Sequence, residues 1–216
     1  MSAFWRVDRS PRMRLSSNLT FRYSASFLRR FSASTAPATL ISDAVKYDHY
    51  KIEDAYHRIL DSTTAEHRVK WQNQLTWEVA CHSISEELVV YPALEKYLIV
   101  GKDIVDRDRA QHKLIRGHLY TFQSLNPNDR QFRGAVEELW SSLCQHFQAE
   151  EKDIAALEEK IQPVESESIA VSFNRTKKFT PTRSHPNAIY KPPFSNIAGL
   201  LAAPIDRLRD VFRSFP

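Results

Sequence analysis

One predicted helix carries a histidine and a glutamate one turn apart on the side that should face the core. Its apolar stripe advances in steps of four and three residues, which keeps one face of a helix: Leu75, Val79, position 82, position 86 and Val89. His82 and Glu86 occupy the two central positions. Because an imidazole and a carboxylate are costly to bury without a partner, the pair predicts a ligand inside the fold.

The same interruption occurs on the apolar stripes of three other predicted helices. His49 lies on the first, His112 on the third and His146 on the fourth. The fourth helix adds Glu150 one turn after its histidine, so the second and fourth helices share an H-x-x-x-E motif. Antiparallel packing of these helices would bring all the groups to about one level.

Taken together, these side chains have the composition of a metal site, although any single histidine on such a stripe is more often an ordinary core residue. No lysine or arginine lies on the stripes, so two carboxylates would be desolvated together without a compensating charge. Four imidazoles and two carboxylates are the ligand set of a carboxylate-bridged pair of transition metals. The predicted metal ligands are His49, His82, Glu86, His112, His146 and Glu150.

Capping and breaking signals predict where the first two helices begin and end. Ser42 or Asp43 is a good N-cap for the first helix, which should end in the polar run 61–64. The second helix is predicted to begin near Lys70. Pro92 should bend or end it, because proline removes a backbone donor and crowds the preceding turn.

The remaining signals complete a helical bundle. A third helix is predicted over 102–125, after Gly101, and a fourth runs from the breaker at 126–129 to about Ile161. Four helices with short connections, each with one stripe turned inward, predict an all-α fold. We expect an up-down-up-down antiparallel four-helix bundle over residues 43–161.

The formal net charge of +4 is unevenly spread along the chain. Residues 1–42 contain seven arginines and one acidic residue, residues 43–162 contain 15 basic and 21 acidic residues, and residues 163–216 contain 8 and 4. The acidic central region argues against nucleic-acid binding and is compatible with cation binding.

The N-terminal segment has the composition of a targeting sequence. Residues 1–37 are rich in arginine and serine and interleaved with leucine and phenylalanine, which is typical of a mitochondrial transit peptide. The motif Arg29-Arg30-Phe31-Ser32 resembles a matrix processing signal. We therefore predict a disordered presequence and a mitochondrial, matrix location; a basic tail without a targeting role is the alternative.

Two further features bear on the compartment. Cys81 and Cys144 are too few for a disulfide framework, which favours a reducing environment. The sequence contains no apolar run approaching the ~18 residues that span a bilayer, so no transmembrane segment is predicted.

The C-terminal part is predicted to be an extended linker over 162–194 followed by an amphipathic helix over 195–213. This helix carries apolar residues on one side and arginines among the rest. Three roles stay open for it: covering an edge of the bundle, docking a protein partner, or peripheral contact with an acidic membrane surface.

The histidines and the two H-x-x-x-E motifs resemble those of hemerythrin-like, HHE cation-binding domains over residues 43–161, and the region after Val171 resembles the tail of fungal members. The resemblance implies a four-helix bundle around a non-heme di-iron centre. It implies one metal at His49 and His82, the other at His112 and His146, and bridging carboxylates at Glu86 and Glu150.

Two positions depart from the oxygen-carrying members. Those members place a second third-helix histidine where this chain has Arg116, and His118 faces another side of the helix. Their fourth-helix carboxylate corresponds to Glu151, which is therefore the alternate to Glu150 as the bridge. The resemblance does not extend to reversible dioxygen carriage.

Ligand counting leaves each metal with about four protein donors, below the six that octahedral iron prefers. Water, dioxygen, peroxide or nitric oxide could occupy the remaining positions. Iron is the expected metal, with manganese or zinc as alternatives. The sequence favours a metal-binding protein that handles iron or senses one of these small molecules; the alternatives are a small di-iron oxidase or peroxidase, and an interaction protein with a structural metal.

Four neighbours of the predicted ligands have weaker assignments. Asp108 could accept a hydrogen bond from the second nitrogen of His112, or it could lie on the helix surface. Glu78 and Glu87 flank His82 and are expected to be solvated or to support a ligand. Tyr91 is expected to be a packing residue.

Overall fold

The computed structural model describes residues 39–185 and 195–216, and it is helical almost throughout this part of the chain. A π-helical turn, Glu86–Val90, joins the second helix to the third. The helices are α1 (Ile41–Asp61), α2 (Ala65–Ser85), α3 (Tyr91–Tyr97), α4 (Gly101–Ser124), α5 (Phe132–Glu158), α6 (Pro163–Thr176) and α7 (Ser195–Asp210). The predicted presequence, residues 1–37, lies outside the described residues.

The four long helices form the predicted antiparallel bundle, with α3 continuing the direction of α2. Two apolar clusters fill its interior. One contains Ile59, Leu75, Phe122 and Phe132, and the other contains Val45, Leu94, Val105 and Ile154. Each of the four long segments therefore runs from one cluster to the other, in alternating directions. This confirms the all-α, up-down-up-down architecture.

Helical periodicity predicted the buried faces of α1, α4 and α5 correctly. Every residue on the predicted stripe of α4 is buried: Val105, Asp108, His112, Ile115, Leu119 and Phe122. The same holds for the predicted stripes of α1 and α5. The polar members of these stripes lie between the two apolar clusters.

The stripe of the second helix changes phase at the π-helical turn. Val89 was expected on the buried face, but Val90 and Tyr91 are fully buried instead, and Val89 is only partly buried. A π turn contains one extra residue, so the positions that follow it are rotated around the helix. Pro92 then lies in the first turn of α3, where its missing N–H is tolerated.

The start of α1 differs from the prediction. Neither Ser42 nor Asp43 is the N-cap; the helix begins at Ile41, after Leu40, which provides no side-chain cap. The first N–H groups are satisfied from elsewhere in the chain: Ile41 donates to Ser166 Oγ at 3.0 Å, and Ser42 to Glu158 Oε1 at 3.1 Å. Acceptors more than 100 residues away cannot be predicted from local capping rules.

The start of α2 is also earlier than predicted. The helix begins at Ala65 rather than near Lys70, because the Thr64 side chain accepts a hydrogen bond from the backbone N–H of His67. The polar run predicted to separate the first two helices therefore supplies the cap of the second.

The linker prediction for residues 162–194 is wrong over its first half, where α6 lies. Gln162 and Glu165 form a capping box at its start, and Pro163 lies in the first turn. Ala170 and Phe173 are buried in the second apolar cluster, so one face of this short helix closes an edge of the bundle. The apolar pattern of α6 is so short that periodicity alone does not distinguish this helix from an extended linker.

The predicted C-terminal helix is present as α7, and polar contacts hold it to the rest of the protein. Asp206 is buried beside His185, and Arg207 donates to the carbonyl of Lys177 at 2.8 Å. Among the side chains described here, four large apolar ones are exposed: Ile205 and Leu208 of α7, and Val211 and Phe212 directly after it. The peripheral contact with a membrane or a protein stays a prediction, and these side chains are the ones it would use.

Both cysteines are free thiols, and Cys81 is buried. Across residues 39–185 and 195–216, none of the helices combines the length and the apolar content needed to cross a membrane.

Two glycines give a matched test of helix packing. A Cβ on Gly101 would lie 2.1 Å from the carbonyl oxygen of Leu94, whereas a Cβ on Gly117 would meet nothing within 4 Å. Gly101→Ala should therefore lower the free energy of unfolding by about 1–3 kcal/mol. Gly117→Ala should raise it by about 0.5–1 kcal/mol, because alanine favours a helix interior. Urea denaturation measures both, and equal effects would contradict the packing at Gly101.

Candidate metal centre

All six predicted ligands meet halfway along the bundle, between the two apolar clusters. Each is at most 1% exposed. Their ligand atoms form two groups, each within 4.8 Å: the first contains His49, His82, Glu86 and Glu150, and the second contains Glu86, His112 and His146. Glu86 belongs to both groups.

The two carboxylates lie between imidazoles of both groups. Glu86 Oε1 is 2.8 Å from His82 Nε2, and its Oε2 is 3.3 Å from His112 Nε2. Glu150 Oε2 is 3.1 Å from His49 Nε2 and 3.7 Å from His146 Nε2. Each carboxylate therefore faces one histidine of each pair, as bridging ligands would.

An outer ring of acceptors faces the opposite nitrogen of every imidazole. An acceptor at Nδ1 favours the tautomer with the proton there and leaves the Nε2 lone pair directed inward, which is the usual support of metal-binding histidines. The Nδ1 distances are 2.9 Å from His49 to Glu151 Oε1, 3.5 Å from His82 to Asp48 Oδ2, 3.2 Å from His112 to Glu87 Oε1, and 2.9 Å from His146 to Gln111 Oε1.

The structure shows which of the two candidate carboxylates in the second half of α5 faces the centre. Glu150 is fully buried and directed into the centre, whereas Glu151 lies on the outer side of His49. Helical geometry explains the difference, since Glu150 follows His146 by four residues and shares its face. Glu151 is therefore placed to orient His49.

The partner of His112 differs from the one suggested by sequence. Asp108 is buried, but its Oδ1 accepts two hydrogen bonds from Arg107, at 3.0 and 2.7 Å. Glu87 takes the position beside His112 and also accepts a hydrogen bond from Arg116 at 2.6 Å. The arginine that replaces a histidine of the oxygen carriers thus binds an outer carboxylate. Glu78 is paired with Lys51, away from the histidines.

Tyr91 is a residue of the centre that sequence reasoning missed. Its hydroxyl lies 3.1 Å from both ring nitrogens of His112, and its ring is fully buried. The π-helical turn rotates this residue inward, as described above. A proline six residues after a buried glutamate was the available signal, because local distortions of helices are frequent near functional sites.

Several buried atoms of the centre lack donors. Both oxygens of Glu86 and Oε1 of Glu150 are buried and accept no well-formed hydrogen bond among the described residues. The nearby imidazole nitrogens converge on the same space with their lone pairs. Buried acceptors left in this state are costly, and a cation between them would satisfy carboxylates and imidazoles together. The residues therefore fit a metal ion.

The same environment separates the pKa values of the two carboxyls. Burial and the charge of Glu86 raise the pKa of Glu150. Burial also opposes ionisation of Glu86, but the charge of His82 and the contacts with Glu150, His112 and His146 together hold the pKa of Glu86 well below its usual value. Burial opposes protonation of His82, but Glu86 and Asp48 raise its pKa to about 9. Burial and the charge of His112 lower the pKa of His146 to about 4. Without a cation, His82 therefore holds a proton at neutral pH.

Comparisons with known proteins agree with this geometry. The chain matches the family described as the Hemerythrin HHE cation binding domain over residues 40–157. It is 48% identical over 180 residues to a hemerythrin-like protein of Schizosaccharomyces pombe, covering 82% of this chain and 89% of that protein. It is 21% identical over 140 residues to a DNA nickase of Nostoc sp., covering 63% of this chain and 39% of that protein. No solved structure matches the chain significantly.

The pKa pattern predicts that metal uptake releases protons. His82 has a pKa of about 9, so a cation must displace the proton that it carries at neutral pH, and the raised pKa of Glu150 acts in the same direction. The apparent affinity for a divalent metal ion should rise as the pH increases towards about 9, by up to about tenfold per unit for the proton displaced from His82. Anaerobic titrations in a pH series measure it, and an affinity independent of pH would contradict the assignment.

Proposed function

The chain belongs to the hemerythrin HHE cation-binding domain family, and on this premise we propose that it binds two iron ions inside its bundle. The observation that carries the proposal is the position of Glu86, whose two oxygens face histidines of different groups. Two cations on either side of this carboxylate would satisfy both of its buried oxygens.

The two groups of ligand atoms support a division of the site. One ion would be held by His49 and His82, and the other by His112 and His146, with Glu86 and Glu150 shared between them. Imidazole and carboxylate ligands suit iron, while manganese and zinc are the alternatives by ligand type. A mitochondrial location would favour iron.

The proposed role is iron handling, or sensing of dioxygen, nitric oxide or peroxide. A pair of iron ions with about four protein donors each supplies open coordination positions for a small ligand. The chain contributes a buried surrounding and the hydroxyl of Tyr91 beside His112. No catalytic base is needed for this role. A small di-iron oxidase or peroxidase is the second candidate, because that hydroxyl could also donate a proton.

Metal analysis of purified variants tests the proposal. The wild-type chain should retain two irons. Glu86→Leu should lose both, since Glu86 belongs to both groups of ligand atoms, and His82→Leu should lose the one at the His49–His82 position. His118→Leu is the matched control, because this partly exposed histidine of α4 contacts Ser142 and Glu138 rather than the centre. Glu150→Gln should lose metal, and Glu151→Gln should only weaken binding, by about 10–100-fold. The measurements are elemental analysis and the optical spectrum.

The outcomes separate the roles as well. Retention of the full metal complement by Glu86→Leu would refute the site. If the reduced, iron-loaded protein gives one stoichiometric spectral change with dioxygen, nitric oxide or peroxide, sensing is supported. Repeated consumption of dioxygen or peroxide with a reductant supports the oxidase or peroxidase instead.

We propose further that the protein works in the mitochondrial matrix, on the composition of residues 1–37 alone. A fluorescent protein fused after residue 37 should enter mitochondria and lose the presequence. Replacing Arg22, Arg29 and Arg30 by glutamate should leave the fusion in the cytosol, because import signals of this kind require positive charge. Unchanged import of this variant, or cytosolic wild-type fusion, would refute the proposal.

A further inference from the structure

A lysine of the C-terminal segment contacts the centre through one buried carboxylate. Lys177, directly after α6, donates from Nζ to both oxygens of Asp48, at 2.8 and 2.7 Å. Asp48 Oδ2 lies 3.5 Å from His82 Nδ1. Asp48 is 1% exposed and the Lys177 side chain 14% exposed, so this chain of contacts is almost completely shielded from water.

The segment that carries Lys177 holds it in place. Phe173, one turn earlier, is fully buried; its ring centre lies 4.6 Å from the Lys177 ammonium and 6.0 Å from the ring centre of His82. The carbonyl of Lys177 accepts a hydrogen bond from Arg207 of α7. Both helices of the C-terminal segment therefore contribute to the position of this ammonium group.

The outer acceptor of His82 is held differently from that of His112. Glu87 is bound by Arg116 of the bundle, whereas Asp48 is bound by a cation from beyond residue 157, where the family match ends. Lys51 is farther from Asp48, at 3.8 Å, and its short contact is with Glu78 at 2.6 Å. Lys177 is thus the cation that fixes the orientation of Asp48.

We propose that Lys177 is a positioning residue for His82, so that retention of metal at the His49–His82 position depends on docking of the C-terminal segment. The Lys177 ammonium keeps a carboxylate oxygen of Asp48 facing Nδ1 of His82, 3.5 Å away, and this favours the orientation in which Nε2 points into the centre. By linkage, metal at His82 in turn stabilises the docked segment. The inference rests on the proposed function, because it requires a metal ion at His82.

Anaerobic ferrous titrations in competition with a chromophoric chelator test the inference on the full chain. Lys177→Met should weaken binding of one of the two irons by about 10–100-fold and leave the other within about twofold. Lys178→Met is the matched control, because Lys178 is the exposed neighbour of Lys177. This variant should bind both irons as the wild type does. A general loss of structure would weaken both positions, so the selective loss identifies positioning.

Asp48→Asn and Asp48→Asn/Lys177→Met provide the second comparison. The double variant buries no unpaired charge, so it stays folded even if Lys177→Met does not. It should bind iron as Asp48→Asn does, because Lys177 acts only through Asp48. The inference would be overturned if the double variant bound iron more weakly than Asp48→Asn, or if Lys177→Met bound iron as tightly as the wild type. A wild-type chain that binds no iron would instead refute the proposed function.

The reciprocal effect is measured by backbone hydrogen exchange. Loading the wild type with ferrous iron should slow exchange in α6, because metal at His82 stabilises the docked segment. In Asp48→Asn/Lys177→Met the same loading should leave exchange in α6 unchanged. Equal protection in both proteins would show that the contact through Asp48 does not couple the segment to the metal.

Discussion

The structure depends on two carboxylates that are buried close together with too few hydrogen-bond donors, since both oxygens of Glu86 and Oε1 of Glu150 have none among the described residues. Glu86 and Glu150 are fully buried between the two apolar clusters of a four-helix bundle. In water-free surroundings such a pair is tolerated only if one group is protonated or a cation lies between them. Burial and mutual repulsion raise the pKa of Glu150, which is the first of these solutions. Bound metal would be the second, and the four surrounding imidazoles favour it.

The outer nitrogens of the four imidazoles face carboxylate or amide oxygens of neighbouring helices, with hydrogen bonds at His49, His112 and His146 and a 3.5 Å contact at His82. Two of these acceptors are themselves paired with cations, Glu87 with Arg116 and Asp48 with Lys177. These cations are bound to carboxylates of the outer ring rather than to Glu86 or Glu150. The ring also joins the helices in pairs, because each acceptor lies on a different element from its histidine. Ligand geometry and bundle packing therefore depend on one another.

Sequence-based reasoning succeeded where a long helix has one regular buried face. The stripes of α1, α4 and α5 are buried as predicted, and the six candidate ligands lie at one level. It failed where the signal is short or distant. The N-terminal N–H groups of α1 are bound by Ser166 and Glu158, and α6 has only a short apolar face. The π-helical turn changed the phase of the second stripe after Glu86 and brought Tyr91 inward.

The sequence by itself determined the bundle and the residue types at its centre, because helical periodicity places residues three and four apart on one face whatever the rest of the chain does. Only the tertiary structure decided which nitrogen of each histidine faces inward, which carboxylates form the outer ring, and that Lys177 contacts Asp48. These contacts join residues that lie 129 positions apart in the case of Lys177 and Asp48. Side-chain pairs of this kind are set by how helices pack together, which no local pattern encodes.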